Sequence, residues 1–201
     1  MLKTLLTVGL IGLLAALLLA GVNELTRDRI ELEQKRRALQ TLSQLLDRDS
    51  YDNELVRDRF KTRIDGLEDP ATIYRARLDG EPSALLADVT TDKGYSGDIR
   101  LLVAIDPSGK VIGVRVLNHR ETPGLGDRIE RRRSDWIDQF RGASLGQPSP
   151  EQWKADQRDG AFDTLASATI TSSAVIQAVR DTLEWYESNR DSAFQRPAEN
   201  P

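Results

Sequence analysis

From Thr4 to Val22 the chain runs T-L-L-T-V-G-L-I-G-L-L-A-A-L-L-L-A-G-V, nineteen residues without a charge. As a helix rising about 1.5 Å per residue this stretch reaches roughly 28 Å, close to the thickness of a bilayer core. It predicts one N-terminal transmembrane helix, an anchor over residues 1–22. A cleaved signal peptide competes, because Lys3 precedes the run and small residues close it at Ala20–Val22. The run exceeds the ~7–15 apolar residues of such a leader, which favours the uncleaved anchor. No cysteine follows Leu19-Ala20-Gly21, which excludes a lipoprotein.

Beyond the anchor the pattern changes twice. Over residues 23–69 charges dominate. Leu25, Leu32, Leu39, Leu42, Leu45 and Leu46 recur at mostly helical spacing and predict a stalk or packing helix. Leu55, Phe60, Ile64 and Leu67 stand alone in the polar stretch 47–69, to which no element is assigned. After Pro70 come short strand-like runs: T-I-Y-R-A-R-L, S-A-L-L-A-D-V-T, I-R-L-L-V-A-I-D and V-I-G-V-R-V-L. D-G-E-P joins the first two and D-P-S-G the last two, both turn sequences, so an antiparallel sheet is expected. Helices are predicted around Ser134–Phe140 and over Thr171–Ser188, where Val175, Ile176, Val179 and Leu183 follow helical spacing. The fold class is therefore α+β, an antiparallel sheet with flanking helices over residues 70–188, followed by a polar tail, 189–201, expected to fray.

Composition narrows the chemistry. With 39% hydrophobic and 30% charged residues and a net charge of −4, the 201-residue chain reads as one globular domain with appendages and offers no basic field for nucleic acid. Arg131, Arg132 and Arg133 read as a solvated face. The absence of cysteine excludes disulfides, thiolate metal sites and cysteine nucleophiles, and a single histidine, His119, excludes histidine-rich metal sites. A hydrolase using Ser172 or Ser173 would need that one histidine as base, and no G-x-S-x-G elbow accompanies it.

Two stretches remain as candidate chemistry. D-T-L-A-S-A-T-I-T-S-S, Asp163–Ser173, sets hydroxyls beside small residues just before the helical pattern. Ala166, Ser167 and Ala168 leave room for a bulky group. A phosphate at the helix start would meet unpaired N–H groups and the positive end of the dipole. The plainer reading is that Thr171 or Ser172 caps the helix. H-R-E-T-P-G-L-G-D, His119–Asp127, follows directly on the strand V-I-G-V-R-V-L, and Gly124 and Gly126 let its backbone approach a flat ligand. Taken alone it is also a plain P-G-x-G turn.

Together the two stretches resemble the covalent-flavin domain of the G subunit of the Rnf (also Rsx) ion-translocating electron-transport complex, a relative of the C subunit of the sodium-pumping NADH:quinone reductase. Asp163, Ala166, Ser167, Ala168 and Thr169 occupy the places of that family's flavinylation signature. Ala166 stands where a hydroxyl residue is usual and Ser167 where glycine is usual. The resemblance implies flavin mononucleotide (FMN) joined to Thr169 by a phosphoester. Thr171 is a rival acceptor that local chemistry does not exclude. The resemblance further implies Glu121 and Thr122 near the isoalloxazine ring and Leu125 packed on it; Gly124, Ser167, Ala168 and Ile170 complete the candidate cofactor-binding residues. N–H groups of Thr171–Ala174 would meet the phosphate. Gly94-Tyr95-Ser96-Gly97 also fits the family's pattern, with Tyr95 readable equally as core.

The implied partners are the other subunits of an Rnf-type membrane complex and a flavin transferase that uses flavin adenine dinucleotide. The implied location is the bacterial inner membrane, single-pass, with the flavin domain on the periplasmic side. Lys and Arg counts point the other way, since only Lys3 precedes the span while Arg27, Arg29, Lys35, Arg36 and Arg37 follow it. A flavin-free structural or sensory extracytoplasmic domain is the alternative.

Overall fold

The computed structural model describes residues 45–199, with 42, 43 and two isolated positions, 9 and 12, ahead of them. Those two positions apart, the predicted anchor lies outside the described residues, as do residues 23–41 and 44 of the predicted stalk. Among the described residues no helix is long and apolar enough to cross a membrane. The chain divides into two compact units, Met1–Gln40 and Thr41–Pro201, and the tertiary structure described belongs to the second.

Its centre is a five-stranded antiparallel meander in the order β1 (Arg59–Thr62), β2 (Ala71–Leu78), β3 (Glu81–Gly94), β4 (Gly97–Ile105) and β5 (Val111–Asn118). The predicted strands lie in β2 to β5. Arg59–Thr62 is an added edge strand, pairing Phe60 with Ile73, in the stretch to which the pattern assigned nothing. Leu85, Val89, Ile99, Leu101, Val103 and Ile105 point into the main core. Tyr74, Leu86, Leu102 and Ala104 point the other way, under Leu42, Leu45, Leu46 and Leu55. Burial of both faces is why L-L-V-A-I in β4 reads as a continuous apolar run rather than an alternation.

One long helix, α1 (Thr169–Ala193), crosses the main-core face. Ala174, Val175, Ala178, Val179, Leu183 and Tyr186 form its buried stripe, and alanines at 174 and 178 let it lie close to the sheet. It starts two residues before and ends five residues after the predicted helix. The second predicted helix is instead a 3-10 turn, Trp136–Phe140, ended by Arg141 in extended conformation and by Gly142 at φ 79°. Five residues make too few hydrogen bonds to sustain an α-helix.

Between β5 and α1 the chain is held by an aromatic cluster rather than by helices. Trp153 and Phe162 lie 4.5 Å apart between ring centroids, and Phe140 and Phe162 5.1 Å. Trp136 Nε1 donates to the Asp163 carbonyl at 2.7 Å, and the Asp163 N–H donates to Gln139 Oε1 at 2.8 Å. Those two bonds pin the segment that leads into α1.

The tail does not fray over its described residues. Arg75 and Arg77 of β2 reach across to it: Arg75 donates to the carbonyls of Ala193 and Arg196, and Arg77 Nη2 donates to the Phe194 carbonyl at 2.6 Å. The Glu199 N–H donates to the Arg59 carbonyl at 2.8 Å. Arg75 is itself buried, paired with Asp58 and set 5.3 Å from the centre of the Phe60 ring.

Candidate functional site

Three segments meet at one end of the sheet: the β3–β4 turn at Gly94–Gly97, the loop Glu121–Gly126 that leaves β5, and the start of α1. A cavity of about 550 Å³ opens between them, lined by Tyr95, Glu121, Thr122, Leu125, Gly126 and the run Ser167–Thr171. The two stretches singled out in the sequence are thus brought together. Of the predicted site residues only Gly124 stands off the cavity, turning the loop at φ 81°.

Glu121 holds the three segments to one another. Its side chain is buried; Oε1 accepts the Ser96 N–H at 3.0 Å and Oε2 accepts the Thr171 hydroxyl at 2.5 Å. A Cβ added at Gly94 would lie 2.8 Å from Oε1, and one at Gly126 2.8 Å from Oε2. The two glycines therefore let the carboxylate sit directly against backbone on both sides, which explains their presence independently of any ligand. A negative charge at the start of α1 also gains from the helix dipole, by ~0.3–1 kcal/mol.

The loop is braced from behind. The Glu121 N–H donates to His119 Nδ1 at 3.0 Å, and His119 Nε2 lies 2.8 Å from Glu130 Oε1, so Nδ1 is the accepting nitrogen and Nε2 carries the proton. Arg132, and then His119, hold the Glu130 carboxyl well below the usual carboxylate range. Asp127 Oδ1 accepts the Gly124 N–H at 2.8 Å, and the Leu125 N–H donates to the Thr122 carbonyl at 3.1 Å. Arg131, Arg132 and Arg133 are tied to Asp135 and Asp138, to Glu130 and to Asp127, so the run is an ion-paired surface.

At the helix start neither Thr171 nor Ser172 is a cap. Ala168 occupies the N-cap position and has no side-chain oxygen to offer. Thr171 is spent on Glu121, while the Ser172 hydroxyl donates to the Ala168 carbonyl at 3.0 Å and accepts the Leu165 N–H at 3.0 Å. The N–H groups of Thr169, Ile170 and Thr171 consequently have no acceptor within the described chain, two residues earlier than the pattern placed them. Thr169 is half-buried and its hydroxyl donates to Gln157 Oε1 at 3.2 Å. Thr171 is 1% exposed, so Thr169 is the accessible one of the two threonines. Ser172 is fully buried, the Ser173 hydroxyl is buried, and His119 is bonded on both nitrogens, an arrangement without an activated serine.

Ser167 takes φ 66°, the left-handed region that favours glycine, which gives the usual glycine of this signature a physical reason. Tyr95 is not core: it is 68% exposed on the cavity rim. With Leu125 at 42% and Ile170 at 54%, it supplies three of the four exposed large hydrophobic side chains among the described residues. An apolar rim for a flat ring, beside uncapped N–H groups for a phosphate, fits a flavin nucleotide in both of its chemical parts. The roles of Ser96 and Asp127 are not legible in the sequence, since their bonds to Glu121 and Gly124 are set by folding rather than by spacing.

Residues 94–184 match the FMN-binding domain family, a span that begins at Gly94 and takes in all three segments of the cavity. Residues 94–184 of the second compact unit thus form an FMN-binding domain. Residues 1–45 match the RnfG N-terminal region. The chain is 40% identical over 194 residues to the G subunit of the ion-translocating oxidoreductase complex of Pseudomonas aeruginosa, covering 95% of this chain and 91% of that one. It is 38% identical over 193 residues to the protein of that name from Shewanella loihica, covering 94% and 91%. With the Haemophilus influenzae protein of that name it shares 40% identity over 172 residues, covering 86% and 83%. The chain belongs to the family of G subunits of ion-translocating oxidoreductase complexes.

Proposed function

We propose that this protein is the membrane-anchored flavoprotein subunit of an Rnf-type ion-translocating complex, relaying electrons through FMN joined covalently to Thr169. The observation that carries the attachment site is the contrast between two threonines two residues apart. Thr169 lines the cavity and is only half-buried, whereas Thr171 is buried against Glu121. When bound, the flavin supplies reversible uptake of electrons, which the side chains of this domain do not.

The chain's own residues bind and orient. The free N–H groups of Thr169, Ile170 and Thr171, at the positive end of α1, suit the phosphate. Thr122, Leu125, Tyr95 and Ile170 provide the faces and rim that shield a ring from water, with Ser167 and Ala168 leaving space beside it. Gly124 shapes the loop that carries Thr122 and Leu125. A covalent tether keeps the carrier at a permanent local concentration instead of an affinity-limited one. Attachment is the work of a separate flavin transferase drawing on flavin adenine dinucleotide.

The uncharged run 4–22 anchors the chain in the bacterial inner membrane by a single span, with the flavin domain on the periplasmic side and the other complex subunits as its electron partners. The match of residues 1–45 to the RnfG N-terminal region supports that arrangement.

The full chain, co-produced with a flavin transferase and denatured in detergent, should carry flavin fluorescence on the polypeptide. Thr169→Ala should abolish it. Fluorescence that leaves the denatured wild-type chain, or persists in Thr169→Ala, would refute the attachment.

A further inference from the structure

We propose that Glu121 sets the reduction potential of the flavin carried on Thr169, acting as a fixed negative charge in the cavity wall. The inference rests on the attachment proposed above.

The side chain is 5% exposed, and both of its oxygens face donors, Ser96 N–H and Thr171 O–H. The neighbouring arginines are committed elsewhere, Arg132 to Glu130 and Arg133 to Asp127. Among the described residues no cation pairs with Glu121, and only neutral donors and the start of α1 offset its charge. Burying a charge without a counter-ion is unfavourable. The carboxylate gives each donor its own oxygen, whereas a glutamine has one acceptor oxygen and would turn its NH2 toward the other donor. Two donors on two oxygens call for an acid, and that acid leaves a buried charge without a counter-ion in the cavity wall.

Uptake of two electrons and one proton adds one net negative charge to a flavin. A fixed carboxylate opposes that change and lowers the potential. A cavity of about 550 Å³ keeps its contents within about 10 Å of the wall, where one charge at an effective dielectric near 20 changes the reduction equilibrium by about tenfold. For a two-electron couple tenfold is about 30 mV.

Two near-isosteric variants separate this charge from a merely structural clamp. Glu121→Gln removes the charge and keeps the size and one of the two acceptor oxygens. Thr171→Val removes the hydroxyl that screens the charge and keeps the charge. Both are made in the full chain co-produced with a flavin transferase, with occupancy of Thr169 read first by mass and the potential then measured by dye-equilibrated titration at pH 8. Glu121→Gln should raise the potential by about 30 mV, roughly tenfold in the equilibrium, while Thr171→Val should leave it unchanged or lower it. An unchanged or lowered potential in Glu121→Gln overturns the inference, as does an upward shift in both variants, which is what loosening alone produces. A wild-type chain without flavin on Thr169 removes the reading beneath it, and the mass measurement shows that before any potential is taken.

Discussion

The backbone at Ser167 offers a test of the attachment segment that needs no flavin. Its φ of 66° costs a residue with a Cβ ~1–2 kcal/mol. The exposed hydroxyl makes no hydrogen bond in the structure, so Ser167→Gly removes strain without removing a contact. Glycine returns ~0.5–1 kcal/mol of that gain as greater chain entropy in the unfolded state. The balance leaves Ser167→Gly stabilising by about 0.5–1 kcal/mol. At ~2–4 °C per kcal/mol for a chain of this size, that is a rise of about 1–4 °C in Tm. Ser167→Val places a β-branched side chain in the same conformation and should lose at least ~1 kcal/mol. Urea titrations of the full, unmodified chain in detergent measure both, with the m-value held constant as the check that only stability has moved. A destabilised Ser167→Gly, or a Ser167→Val as stable as wild type, would refute the left-handed turn before α1 and with it the placement of Thr169 at the first helical position.

Three further perturbations probe the frame. Asp58→Asn leaves the buried Arg75 guanidinium without its carboxylate and should cost ~3–5 kcal/mol in denaturant unfolding; a loss under ~1 kcal/mol would show that the tail carbonyls suffice alone. Burial raises the Asp181 carboxyl above its ordinary 3.8, with Gln177, Lys93 and Arg180 opposing and Glu184 adding to the rise. A raised acid stabilises most below its unfolded value, and that contribution is lost as pH rises through the folded one. Asp181→Asn should therefore gain stability over wild type near pH 7, with the gain shrinking toward pH 4, and a difference independent of pH contradicts the burial argument. Because the chain has no cysteine, Leu78→Cys at a 40% exposed position gives a single reporter of sidedness. A membrane-impermeant maleimide should label it in intact spheroplasts, and labelling only after lysis would place the domain in the cytoplasm.

What the sequence makes legible here is what is local. Strands β2 to β5 follow from apolar runs with D-G-E-P and D-P-S-G as turns, and α1 from its stripe of Val175, Val179 and Leu183. Strand β1 escapes because R-F-K-T has one apolar residue and gains its identity from pairing with β2. The segment from Gly126 to Ala168 escapes because its core residues, Phe140, Trp153 and Phe162, come from scattered positions with no period. The tied tail escapes because Arg75 and Arg77 meet it more than a hundred residues away. Within the site, Thr169 and the Glu121 loop are legible as motifs. The choice between Thr169 and Thr171 is not, since it turns on a hydrogen bond from Thr171 to a residue fifty positions away. The structure supplies that partner and leaves Thr169 as the accessible threonine.

Attachment at Thr169 is tested most directly by peptide mapping with mass spectrometry on the full chain co-produced with a flavin transferase, localising the added mass within Asp163–Ser173. One FMN phosphoester is expected on Thr169 and none on the buried Thr171. An adduct on Thr171 or on the exposed Ser167, or an unmodified peptide from a transferase-active host, would contradict that assignment.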